Sequence, residues 1–410
     1  MEIYLDNSAT TKVTEGVRDK VLQVLYEDYG NPSSMHRMGV RAEQHMKEAS
    51  AIIASNLKVE PKEIFFTSGG TEANNLALIG TAFANRRRGN HIITTRIEHP
   101  SVHQPLVYLE ESGFDISFAP VDSAGRLIKE KLFELVKENT IMVSLMYVNN
   151  EIGAVQDITE LARELKNRKK DILLHVDGVQ AFGKYRIYPK REGIDLLSFS
   201  GHKIHGPKGI GALYASERIK INPIVFGGGH QKGLRSGTEN VPGIAGLGQA
   251  VSELFVDFDS KINRMYLLKQ RFLRGVNQLA DVTVNGIPLG CESNPMGCES
   301  NAIEGASDFE LEQLRKTAPH IMSVSFGGIR SEVFLHALED RGVYVSSGSA
   351  CSSHHPTPSV TLTAIGMDKN LMDSTLRFSM SSMTTEEEID YTLEQIRELL
   401  PVLRRYTRKR

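Results

Sequence analysis

The sequence predicts an α/β fold: a mostly parallel sheet with helices on both faces, joined by a smaller α+β layer. From Ile64 to Tyr214, apolar runs of strand length alternate with stretches whose apolar residues recur at helical spacing, as in successive β-α-β units. The chain has 410 residues, more than one hydrophobic core usually serves, so two domains are expected. Beyond residue 281 the pattern changes to a second set of strand and helix signals, the smaller layer.

In chain order, Ile3-Tyr4-Leu5 is expected as a short strand and Asp6-Asn7-Ser8-Ala9-Thr10-Thr11 as loop, being small and polar. Thr14 caps a helix whose Val17, Val21, Val24 and Leu25 share one stripe, ending at Gly30-Asn31-Pro32, and a second helix covers about 40–57. Ile64-Phe65-Phe66 reads as a buried strand, Thr67-Ser68-Gly69-Gly70-Thr71-Glu72 as a tight turn and 73–84 as helix. Strands at 91–95, 115–119, 141–146 and 172–176 alternate with helices at 101–112, about 130–137 and 158–166. Apolar runs at 194–199 and 210–214 flank a small-residue loop. A glycine-rich, basic segment, 227–240, precedes helices at 241–254 and about 257–279. The smaller layer follows: strands at 282–285, 321–326 and 343–345, a helix at 331–340, and a closing helix. In that last helix Thr385 and Glu388 are spaced as a capping box, and Ile389, Leu393, Ile396 and Leu400 share a face. The connection 288–319, rich in Gly, Ser, Asn and Glu, is expected as a mobile, exposed loop.

Composition narrows the function. Lys and Arg number 48 against 50 Asp and Glu, a net charge of −2, so no overall field favours nucleic acid or a membrane surface. Neither direct nucleic-acid binding nor membrane association is expected. Three cysteines, Cys291, Cys298 and Cys351, argue against a disulfide framework and for a reducing compartment. Cys291 and Cys298 lack the paired spacing of a metal site, so no metal is expected. Met1 to Asp6 shows no secretory signal, and the expected location is cytoplasmic.

Lys203 is the residue that suggests chemistry. It stands in Ser200-Gly201-His202-Lys203-Ile204-His205-Gly206-Pro207, between two strands, with hydroxyl and imidazole groups at hand and glycines that allow close backbone approach. This suits an amine that forms a Schiff base with an aldehyde cofactor, pyridoxal 5'-phosphate. Such a cofactor also needs a carboxylate for its ring nitrogen and donors for its phosphate. Asp177 ends an apolar strand, where a carboxylate is either a helix cap or a site group; as a site group it serves the ring nitrogen, leaving Gln180 for the phenolic oxygen. His99 follows another strand end and offers a flat ring for stacking, or is satisfied within the fold. The Gly69-Gly70-Thr71 turn is either an ordinary helix start or a phosphate cradle. Arg235, Ser236 and Thr238 make a second anion-binding device or part of a mobile linker. Arg377, a cation in a strand-like run, suits a substrate carboxylate as well as an internal salt bridge. Cys351, in Ser346-Ser347-Gly348-Ser349-Ala350-Cys351-Ser352-Ser353, has the flexible, hydrophilic surroundings of a reactive thiol.

Together these segments resemble the cysteine desulfurase family, the NifS/IscS-like branch of the fold-type I, class V aminotransferases. The resemblance rests on Tyr4-Leu5-Asp6-Asn7-Ser8-Ala9-Thr10-Thr11, Gly30-Asn31-Pro32-Ser33-Ser34, Thr67-Ser68-Gly69-Gly70-Thr71-Glu72, His175-Val176-Asp177, Ser200-Gly201-His202-Lys203, Arg235-Ser236-Gly237-Thr238 and Ser347-Gly348-Ser349-Ala350-Cys351, in family order. It implies a large domain, 13–258, with a mostly parallel seven-stranded sheet, and a small α+β domain, 1–12 with 259–410, carrying the cysteine loop. It further implies that Lys203 carries pyridoxal phosphate, Asp177 faces the ring nitrogen, Gln180 the phenolate, and His99 stacks on the ring. Gly70, Thr71, Ser200 and His202 would hold the phosphate, with Thr238 from the second subunit of a homodimer. Asn150 and Arg377 would receive the carboxylate of L-cysteine, and Cys351 would take its sulfur as a persulfide for an acceptor protein, an iron–sulfur scaffold or a tRNA-thiolation enzyme. A selenocysteine lyase, another C–S lyase or an aminotransferase would share the Lys203 surroundings without needing Cys351, and a scaffold without activity would need none of these residues. Met380-Ser381-Ser382 departs from the family's usual Gly-Arg and is expected to alter the edge of the substrate pocket. The 288–319 connection is longer than usual.

Overall fold

A computed structural model describes residues 2–287, 307–347 and 359–407. Cys291, Cys298 and Cys351 lie outside the described residues. Thirteen strands occur among these: β1 (Ile3–Tyr4), β2 (Ile64–Thr67), β3 (His91–Thr95), β4 (Asp115–Ala119), β5 (Thr140–Met146), β6 (Leu173–Asp177), β7 (Leu196–Ser200), β8 (Gly211–Ala215), β9 (Val282–Asn285), β10 (Ile321–Phe326), β11 (Val343–Tyr344), β12 (Ser346–Ser347) and β13 (Thr375–Ser379).

The main sheet has seven strands in the order β2-β8-β7-β6-β5-β3-β4. Only β8 runs against its neighbours; the other pairings are parallel. Successive residues of its central strands enter different cores. Met142 and Leu173 pack with Val102, Leu106 and Leu109 on one face, whereas Val143, Leu145, Leu174, Val176 and Leu197 enter the largest core on the other. A parallel sheet buried on both faces explains why these strands read as nearly continuous apolar runs.

Helices Glu15–Tyr26 and Arg37–Leu57 pack on Val241–Leu254. The Thr14 hydroxyl accepts from Val17 N at 3.2 Å, as its capping position predicts, and donates to Glu253 at 2.6 Å. A separate core gathers Ile3, Leu5, Phe272, Phe326, Phe378 and Ile389 around a four-stranded antiparallel sheet, β12-β13-β10-β9. The expected Thr385–Glu388 capping box is present, with Thr385 N to Glu388 Oε2 at 2.9 Å and Glu388 N to Thr385 Oγ1 at 3.3 Å.

Several expectations need correction. The first helix stops at Tyr26, before Gly30. The helix after the Thr67–Glu72 turn begins earlier, at Gly70, and continues to Asn85 through a π-helical stretch, Leu76–Gly80. The connection expected as loop contains a helix, Ser307–Leu314, whose Leu311 and Leu314 join the second core. Phe309, Leu311 and Leu314, set among acidic and amide residues, were its only apolar signal. The strand expected at 343–345 ends at Tyr344 as β11, which pairs with β1, and a further strand, β12, follows at Ser346 and pairs with β13.

The N-terminal segment is stapled to β13. Ser379 N donates to Leu5 O at 2.6 Å, Asn7 N to Ser379 O at 3.1 Å, and Ser8 N to Ser379 Oγ at 2.8 Å. This lays Asp6 to Ala9 along the carboxyl ends of β6 and β7.

Candidate active site

Lys203 leaves β7 through a single 3-10 turn, Gly201–Lys203. The turn is possible because glycines meet there: a Cβ on Gly211, which pairs with Ser200 in β8, would lie 2.7 Å from the Gly69 backbone. The Lys203 amine donates to the carbonyls of Ser8 and Ala9, the latter at 2.8 Å. The Lys203 carbonyl accepts from the buried Lys184 amine at 3.1 Å, and burial with repulsion from Lys203 brings Lys184 down to about 8.

Asp177 ends β6, with Met146 of β5 and Ser198 of β7 beside it. Its Oδ1 accepts from Val179 N at 3.0 Å, the turn-capping bond, and its Oδ2 accepts from Asn74 Nδ2 at 2.8 Å. No helix follows Asp177, so this is a turn bond and not the helix cap considered from sequence; the carboxylate also lines the cleft. Two residues earlier, His175 spans three strands, bonding Ser144 Oγ at 2.8 Å and Ser198 Oγ at 3.1 Å. Burial brings its imidazole down to about 3, so this clamp is neutral.

From Asp177 a chain of hydrogen bonds reaches His99. Asn74 Nδ2 also contacts Ser101 Oγ at 2.9 Å, and Ser101 Oγ lies 2.8 Å from His99 Nδ1. Because Ser101 N also donates to Nδ1, at 3.1 Å, that nitrogen is an acceptor and the ring carries its proton on Nε2. Burial lowers the His99 pKa against the opposing pull of Asp177. Next to it, the buried Glu98 accepts from Thr95 Oγ1 at 2.7 Å; burial, with Asp177 nearby, raises its carboxyl well above the ordinary value.

Gly70, Thr71, Ser200, His202, Gln180, Asn150 and Arg377 line the same cleft as Lys203, Asp177 and His99, a space of about 480 Å³. Ser200 Oγ is buried and has no partner among the described residues. His202 Nδ1 lies 3.3 Å from Thr10 Oγ1, and burial with the Lys203 charge brings its imidazole down to about 4. Arg377 already makes the internal salt bridge considered from sequence: Nη2 meets Asp6 Oδ1 at 3.0 Å and Nη1 donates to Asn150 O at 2.9 Å. Its Nε is buried and unpartnered among the described residues, and the side chain still borders the cleft.

Other residues fall elsewhere. Thr238 is exposed and does not line this cleft within one chain, and Cys351 lies outside the described residues. Arg235 forms a forked pair with Glu72, at 2.8 and 3.3 Å, which occupies the guanidinium expected as part of a second anion site. Met380 is buried in the second core, and Met380-Ser381-Ser382 border a small separate cavity, not the cleft. Asp6 and Asn74 were not singled out because long-range packing alone brings them to Arg377 and Asp177; Ser101, two residues from His99, makes a local helix-start bond that was passed over.

The residues present fit pyridoxal phosphate: a lysine, a strand-end carboxylate, an amide, an imidazole and an unpartnered buried hydroxyl border one cleft of sufficient volume. Among the described residues, no group of three or more His, Cys, Asp and Glu is placed to hold a metal, and no helix is long and apolar enough to cross a membrane.

Comparison with known proteins agrees. The chain matches the aminotransferase class-V family over residues 3–312 and 299–392. It is 41% identical over 409 residues to cysteine desulfurase IscS of Pectobacterium atrosepticum, covering 98% of this chain and 94% of that one. Against cysteine desulfurase IscS of Methanosarcina thermophila it is 38% identical over 402 residues, covering 98% and 93%. A solved NifS-like protein superposes with a TM-score of 0.87 at 36% identity, covering 98% of this chain and 100% of that one.

Proposed function

The chain belongs to the aminotransferase class-V family, among its cysteine desulfurases, and on that premise we propose that it releases L-alanine from L-cysteine and keeps the sulfur as a persulfide on Cys351. The observation that carries the reading is the convergence of Lys203, Asp177, His99, Gln180, Ser200, His202 and Arg377 on one cleft. Lys203 holds the cofactor; Gly70, Thr71, Ser200 and His202 hold its phosphate, joined by Thr238 of a second copy in a homodimer. The second core, whose buried residues are Ile3, Leu5 and others from Tyr266 onward, supports a division into domains 13–258 and 1–12 with 259–410, while Ala318 and Ile321 join the first core.

When bound, pyridoxal phosphate supplies an electron-withdrawing ring that takes up the electron pair left at the substrate α-carbon. Asp177, fixed by Val179 N and Asn74, would face the ring nitrogen of the bound cofactor. His99, locked by Ser101, presents a neutral ring for stacking. Arg377 and Asn150 orient the substrate carboxylate, the arginine exchanging part of its contact with Asp6 for the incoming anion. The Lys203 amine accepts the α-proton. The Cys351 thiolate attacks the substrate sulfur: an S–S bond forms, the C–S bond breaks, and the electron pair of the broken bond ends on the carbon that becomes the alanine methyl group. The persulfide then passes to an acceptor protein, such as an iron–sulfur scaffold or a tRNA-thiolation enzyme, in the cytoplasm.

Alanine release from L-cysteine by the loaded protein, with a thiol reductant, tests the reading. Release by wild type and its loss in Cys351→Ala is the expected result. Equal release by both points to a lyase, and release by neither leaves a scaffold.

A further inference from the structure

His320 takes no part in the chemistry above, yet it is buried directly behind a residue that does. It lies at the start of β10, its ring is 2% exposed, and its Nε2 is 3.1 Å from Gln180 Oε1. The other end of the same amide, Gln180 Nε2, donates to Ser8 O at 2.9 Å. A carbonyl oxygen only accepts, so Ser8 fixes which end of the amide is NH2. With the amide in that sense, its oxygen faces His320, which must bond it through Nε2–H. The remaining nitrogen, Nδ1, is buried without a partner among the described residues, as fits a ring whose single proton is on Nε2. Lys184, Lys203, Lys269 and Arg377 surround the ring with positive charge, and with burial they hold it neutral.

We propose that His320 is a positioning residue for the cofactor: by holding Gln180 Oε1 it keeps the Gln180 amide turned so that its NH2 faces the phenolic oxygen of pyridoxal phosphate. The inference rests on the cofactor site proposed above. Gln180 lines the cleft and has two N–H groups; Ser8 takes one, which leaves the other for the ring oxygen. Without His320 the amide has only the Ser8 carbonyl to hold it, a carbonyl that also accepts from Lys203.

The test is the pH titration of visible absorbance in the pyridoxal-phosphate-loaded protein. A donor to the phenolic oxygen favours the more negative, high-pH form of the bound cofactor, so losing it moves the midpoint upward. For His320→Phe the expected shift is upward by about 0.5 to 1 pH unit, part of what one hydrogen bond to a charged oxygen supplies. His320→Met serves the same purpose should the larger ring overpack the site. His320→Gln, which keeps an N–H donor, is expected to titrate like wild type. In a Gln180→Leu background His320→Phe should add nothing. A wild-type midpoint in the apolar variants, or an equal shift with and without Gln180, overturns the assignment. If wild-type protein takes up pyridoxal phosphate with no dependence on Lys203, the cofactor site itself is wrong, a failure distinct from that of His320.

Discussion

The two walls of the cleft are built differently. One wall is the sheet: Asp177 and Ser200 end β6 and β7, Lys203 follows in the next turn, and interstrand register with the His175 clamp sets their spacing. The other wall joins β13 of the smaller sheet to the N-terminal segment. Asp6 and Arg377 are 371 residues apart in sequence, and they meet because the N-terminal segment is stapled to β13. The first wall is held by many short-range bonds and by burial on both faces. The second depends on a few polar contacts between segments distant in the chain, and there the ion pair can exchange with a substrate. On the proposed function, the first wall would retain the cofactor and the second would bind the substrate.

The largest effect should come from the sheet wall. Lys203→Ala is expected to lower alanine release by at least about 10²- to 10⁴-fold, the range for loss of a proton-transferring group, and to let dialysis remove the colour of the bound cofactor. Retention of both colour and activity would dissolve the division of labour. On the other wall, Arg377→Ala should raise KM for L-cysteine by about 10- to 100-fold, the loss of one or two charge-assisted hydrogen bonds, while the cofactor stays bound. A fall confined to kcat would place Arg377 with the chemistry instead. Asn74→Ala should lower kcat/KM by about 10-fold by loosening both Asp177 and Ser101, with KM nearly unchanged.

The smallest effect concerns stability and pH. Glu98 is buried and its carboxyl holds its proton more tightly in the folded chain than in the unfolded one. Its contribution is therefore present below the ordinary carboxylate pKa and is lost as pH rises through the raised value. Glu98→Gln, neutral at every pH, should gain about 1 kcal/mol or more over wild type at pH 9 relative to pH 6, measured by denaturant unfolding. Parallel curves for the two proteins would show that Glu98 is ionised in place.

The same contrast governed what could be read from residues alone. Strand ends and the Lys203 turn are local events, written as apolar runs followed by small polar residues, so Asp177, His99, Gly70 and Lys203 were visible. The helix-cap alternative at Asp177 fails because no helix follows; the carboxylate closes an i to i+2 turn instead and lines the cleft. Asn74 was not visible: it sits inside a helix, and only the packing of that helix on β7 and β8 brings its amide to Asp177. The Arg235–Glu72 pair was equally hidden, since each partner alone looks like a free charge; for Arg377 a salt bridge was foreseen, but not that Asp6 is its partner. The helix Ser307–Leu314 escaped because its three apolar residues, Phe309, Leu311 and Leu314, span too short a stretch to establish a helical period.

The stapling of Leu5 to Ser379 also sets an order of events during synthesis. These residues are 374 positions apart. At ~5–20 residues per second a ribosome needs roughly 20 to 75 seconds to deliver the second after the first. Through that interval Asp6 to Ala9 have no β13 to lie on, and the Lys203 amine lacks the two carbonyls that hold it. The main sheet, with all seven strands before residue 216, is complete long before its site is. A nascent chain can thus own a folded sheet and still be closed to the cofactor's chemistry until its last strand arrives.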